Sequence, residues 1–136
     1  LKHKKIYYLS AIFYPILFIF FYSHTSSSEE VCYKEDAAIN FEGHIHRSTF
    51  PGPPNYKSIQ KGDKPETYWV LELPKPVCIS TEKYIRSLQL IVEPSIYKNK
   101  NFLKGKVNVT GLLMAQLTGH HHTPYLVEVK SIISTN

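Results

Sequence analysis

Past residue 30, apolar and polar positions alternate along most of the chain, and helical periodicity is scarce. In "INFEGHIHR" (39–47), Ile39, Phe41, Gly43 and Ile45 alternate with Asn40, Glu42, His44 and His46. That is the period of a strand with one face in a core and one in water. "STFPGPPNYKSIQKGDKPE" (48–66) has no period and is crowded with proline and glycine, so it reads as an extended, ordered loop. "TYWVLEL" (67–73) is rich in aromatic and β-branched residues and predicts a second strand. "PKP" is expected to break it before "VCIS" (77–80) resumes briefly. "RSLQLIV" (86–92) predicts the third strand. "EPSIYKNKNFLKG" (93–105) differs: Pro94 opens it, Ile96, Phe102 and Leu103 form a stripe, and Gly105 closes it, which predicts a short helix. "KVNVTGLLMAQL" (106–117) predicts a long strand bent at Gly111, and "YLVEVKSII" (125–133) predicts the last strand after the turn "TGHHHTP". Five strands with one helix between the third and fourth is the pattern of an all-β, five-stranded OB-like barrel. A small β-sandwich is the alternative.

The chain before residue 29 follows other rules. Lys2, Lys4 and Lys5 precede an uncharged apolar run from Ile6 to Tyr22, and small polar residues follow it. This is the order of a secretory signal peptide over 1–28, cleaved after Thr25 or Ser28. The alternative is an uncleaved anchor helix, short for a full span and interrupted by Pro15. Cys32 follows Glu29-Glu30-Val31 rather than small residues, which argues against a lipid anchor. Residues 29–136 then form one domain in the periplasm or outside the cell, touching membrane only through the leader if it is kept.

The leader changes the charge. The chain has 16 Lys and Arg against 11 Asp and Glu, net +5, but three of the lysines lie in the leader, so the domain is left near +2. A nearly balanced surface carries no footprint for nucleic acid. Two cysteines, Cys32 and Cys78, both fall in the exported part and predict a disulfide. Two independent buried thiols are the other reading.

Candidate chemistry centres on histidine. His120, His121 and His122 lie inside a strand–turn–strand pattern, so they are no terminal tag. In an extended segment His120 and His122 share a face and His121 opposes them. His44 and His46 share a face of the first strand in the same way. If the two pairs met, four imidazoles could surround Zn²⁺ or Cu²⁺. Otherwise His120 and His122 bond backbone groups in the bend while His44 and His46 face water, and no cofactor is required. "TFPGPPNY" presents Phe50 and Tyr56 on a chain stiffened by Pro51, Pro53 and Pro54, which suits a partner because a stiff loop loses little entropy on binding. The same loop could instead close the barrel. Trp69, within an apolar run, reads as core. Asp63 and Glu66 could act as acid and base, but "GDKPE" is ordinary turn chemistry. No catalytic constellation stands out, and an enzyme is not expected.

"TFPGPPNY" (49–56), "GDKPETYWVLEL" (62–73) and "TGHHHTP" (118–124), with "GKVNVTGLL" (105–113) and the two cysteines, resemble the bacterial exported domain-of-unknown-function family 4431 over about residues 32–133. The resemblance implies a small exported β domain, sometimes attached to other envelope modules, and brings no catalytic residues. The expectation is an exported binding module that recognises a protein or envelope component through Phe50, Pro53, Tyr56, His120 and His122. The alternative is a periplasmic metal-binding protein using His44, His46, His120 and His122.

Overall fold

The computed structural model describes residues 31–80, 83–96 and 103–135. The leader, and the centre of the segment expected to form a helix, lie outside the described residues. Five strands close a barrel: β1 (Ala38–Pro51), β2 (Pro65–Ile79), β3 (Lys83–Ile91), β4 (Lys106–Ala115) and β5 (Tyr125–Thr135). The order around the barrel is β1-β2-β3-β5-β4, closing back on β1. Every neighbour pair is antiparallel except β3 and β5. This is the OB-like barrel expected from the strand pattern.

The alternation in β1 sends Ile39, Phe41 and Ile45 inward, where they meet Leu71, Leu88 and Val109. Burying each such side chain contributes ~1.5–3 kcal/mol. Trp69 packs against this core partly buried, with the Arg47 guanidinium 5.3 Å from its ring centroid.

Two glycines let neighbouring backbones approach closely. β1 exchanges neighbours at His44, which faces Lys106 on β4 and Glu72 on β2. At Gly43, just before, a Cβ would land on the Glu72 carbonyl oxygen. At Gly111 a Cβ would land on the Glu128 carbonyl oxygen, and the β4–β5 register shifts between Thr110 and Gly111. The extra residue at this shift is Lys130 on β5, so the bulge belongs to the strand facing Gly111, where the two backbones approach closely.

β2 is one strand where a break at "PKP" was expected. Its ladder with β3 runs to Glu72 and resumes at Val77 after a register shift, so the prolines occupy an irregularity within the strand. Cys32 and Cys78 are bridged. Tyr33, beside the bridge, pairs in parallel with Ile79 and holds the entering chain on β2. Closing a separation of 46 residues should stabilise by ~4 kcal/mol in the chain-entropy account.

Candidate functional site at the meeting of two loops

The β1–β2 loop (52–64) is organised from within by Asp63. This carboxylate is buried and accepts four hydrogen bonds: from the backbone N–H of Asn55 at 2.9 Å, of Lys57 at 2.8 Å and of Ser58 at 2.8 Å, and from the Asn55 side-chain amide at 3.1 Å. Backbone donors converging on the charged form hold its pKa down at about 2, the Ser58 and Lys57 amides first among them. A short 3-10 turn, Ile59–Lys61, and Gly62 at φ 100° bring the chain back to this carboxylate. Tyr56 is held at φ 56°, a left-handed conformation that a non-glycine residue adopts at a cost of about 1 kcal/mol or more. Its N–H donates to the Gly52 carbonyl at 2.9 Å, which fixes it there.

The β4–β5 loop (116–124) is anchored on a buried glutamine. Gln89 points out of β3, and its amide spans the loop like a strand residue. Its Nε2 donates to the His120 carbonyl at 3.0 Å, and its Oε1 accepts from the His122 N–H at 2.7 Å. The Gln89 N–H donates to Thr123 Oγ1 at 2.9 Å, and that hydroxyl donates to the Tyr125 carbonyl at 2.6 Å. Buried polar groups need this complete pairing, and Gln89 obtains it only with the loop in place.

The loops meet at Glu66, on β2 just past the first loop. His120 Nδ1–H donates to its carboxylate at 2.9 and 3.0 Å, and His122 Nε2–H reaches the same carboxylate at 3.4 Å. Tyr68 donates its hydroxyl at 3.2 Å. With its Nδ1 proton committed, neutral His120 has a free lone pair on Nε2 and accepts from the Tyr56 hydroxyl at 3.3 Å. The Tyr56 ring lies against Gly119, where a Cβ would come within 3.0 Å of it. The His120 hydrogen bond, with smaller ones from His122 and Tyr68, pulls the Glu66 pKa below its ordinary value. Burial, then the Glu66 charge, pushes the Tyr68 phenol upward.

The three histidines thus have three environments. The His122 side chain is only 7% exposed; it stacks on Phe50 with ring centroids 4.6 Å apart and leans on Tyr68 at 5.4 Å. His120 is 51% exposed and bridges Glu66 to Tyr56. His121 turns away from Glu66: its Nδ1 accepts from the Leu117 N–H at 3.0 Å, and its carbonyl accepts from Gln116 Nε2.

The structure brings Phe50, Tyr56, His120 and His122 to one place, and the backbone of Pro53 supports it by accepting from the Lys64 N–H at 2.9 Å. His44 and His46 are placed elsewhere, on the outer face of β1 opposite Glu72 and Val70. His46 is four residues before Phe50, on which His122 stacks, or roughly 13 Å at strand rise. The four-histidine arrangement is therefore not assembled. Among the described residues, no three His, Cys, Asp or Glu side chains form a group that could hold a metal ion. Asp63 is engaged by four hydrogen bonds within its own loop.

Glu66, Tyr68, Gln89 and Thr123 escape sequence reasoning as members of this site. Gln89 carries a faint signal, a large amide among Leu88, Leu90 and Ile91. For Glu66 there is none, because its partners lie 54 and 56 positions away. Beside the junction, Tyr68, Gln89, Leu90, Ile91, Val92, His120 and His121 line a pocket of about 310 Å³.

Residues 87–133 match the model of a domain of unknown function, DUF4431. The matched span covers part of β3, all of β4, most of β5 and the loop with the three histidines. β1, β2 and the proline-rich loop precede it. No curated protein and no solved structure matches the chain.

Proposed function

We propose that this chain is an exported binding module, acting in the periplasm or outside the cell. It recognises a protein or envelope component through the surface where the proline-rich loop meets the histidine turn. The observation that carries this reading is the Glu66 junction. It ties two loops from distant parts of the chain into one surface before any partner arrives, so little ordering entropy is left to lose on binding. In OB-type barrels the corresponding two loops border the binding face, an argument from fold alone.

The junction also presents apolar anchors. Leu117, on the second loop, is 75% exposed, and Ile59, on the first, is 37% exposed. Phe50 and Tyr56 are half-buried, engaged by His122 and His120. The Cys32–Cys78 bridge and the leader-like residues 1–28 support an oxidising compartment outside the cytoplasm.

Affinity capture from envelope extracts tests the reading. Immobilised protein is expected to retain a specific component, Leu117→Ser to lose most of it, and His44→Ala, on the far face of β1, to keep it. Retention unchanged by Leu117→Ser, or no specific component at all, contradicts the assignment.

A further inference from the structure

A second feature lies where β1 and β2 part, and it shares no residue with the loop junction. From Ala38 to Gly43, β1 is paired on one edge by β4, and among the described residues no strand pairs its other edge. The ladder's alternation says which groups that edge presents. The Leu113 N–H donates to the Ala37 carbonyl at 3.0 Å, so Ile39, Phe41 and Gly43 turn their amides to β4, while Asn40 and Glu42 turn theirs away from it.

β2 cannot answer these groups. Continuing its register past His44↔Glu72 would set Pro74 against Glu42 and Pro76 against Asn40, and proline has no N–H to give. The strands diverge there and leave a crevice of about 260 Å³. Phe41, Leu73, Pro74 and Val77 line it, with Asn40 and Glu42 on one rim and Lys75 on the other. The nearby carboxylates are already paired, Glu42 with Lys106 at 2.8 Å and Glu72 with Arg86 at 3.2 Å. Lys75 has no carboxylate partner among the described residues.

We infer that this crevice receives an extended peptide from a partner protein, added as a strand on β1, with an apolar side chain on the Phe41–Leu73–Val77 floor and an acidic side chain beside Lys75. Strand addition explains the combination: the free edge supplies main-chain hydrogen bonds, and the floor and the cation supply the choice of side chains. A hydrocarbon ligand would fill the floor but leave the amides of Asn40 and Glu42 unanswered, so the edge favours peptide.

The probe is the capped peptide Thr-Val-Val-Glu-Thr, titrated into ¹⁵N-labelled protein and followed by amide chemical shifts. The expected result is saturable shifts at Asn40 and Glu42 and around Lys75. N-methylation of the two central valines should abolish them, because it removes backbone donors while keeping the side chains. Lys75→Glu, an exposed change that leaves the core intact, should weaken binding several-fold and be rescued by a Thr-Val-Val-Lys-Thr peptide. Three results would overturn the inference: no saturable shift on this edge, binding indifferent to N-methylation, or shifts confined to the loop junction.

Discussion

Two carboxylates only three positions apart, Asp63 and Glu66, do different work because of what surrounds them. Asp63 is answered almost wholly by backbone N–H groups and organises one loop. Glu66 is answered by side chains, His120 and His122 from the second loop and Tyr68 from β2, and the first loop joins through the Tyr56–His120 contact. Both have a folded-state pKa below the ordinary value. In the range between the folded and unfolded values, the unfolded chain binds the proton more readily, so acid favours unfolding. The stabilisation is complete above the unfolded carboxylate pKa and is lost as pH falls toward the folded value, about 2 for Asp63. Thermal melts between pH 7 and 2 should therefore show stability falling below about pH 4, the ordinary carboxylate range. Asp63→Asn should be less stable at neutral pH and should lose less on acidification. An acid profile identical to that of the parent protein would contradict the role given to Asp63. None of this is visible in "GDKPE", which as a sequence shows only a turn.

At the level of elements, the strands were legible wherever one face is buried, because burial writes alternation into the sequence. β1 and β4 follow this rule, whereas β5 opens with three consecutive buried residues, Tyr125, Leu126 and Val127. β2 was read as broken because prolines normally end a ladder. It continues because Pro74 and Pro76 face an edge on which β1 has already turned away. The contact between the loops was not legible, since no local pattern links Glu66 to a histidine 54 positions away. The close approaches at the glycines can be tested by mutation. A methyl group at Gly43 or Gly111 must displace a neighbouring carbonyl, so Gly43→Ala and Gly111→Ala should each cost ~1–3 kcal/mol. At Gly62 there is open space, and only its φ of 100° resists a side chain, so Gly62→Ala should cost ~1 kcal/mol. Denaturant unfolding of the three variants checks this order. Equal, small effects at all three would show that the barrel does not depend on those close approaches.

The whole molecule is a small closed barrel, pinned at its entrance by Cys32–Cys78 and carrying two loops fused at one rim. Barrel closure satisfies most strand edges. Apart from the edge of β1 between Ala38 and Gly43, the surface proposed for recognition is the pair of fused loops. The most direct test is site-specific photo-crosslinking of the chain in the cell that makes it, with the photoreactive residue placed in turn at Ile59, Leu117 and Tyr84. Ile59 and Leu117 lie on the two fused loops, and Tyr84 is an exposed residue at the start of β3. The expected result is the same partner adduct from positions 59 and 117 and none from 84. Adducts from 84 alone, or different partners from 59 and 117, would contradict it.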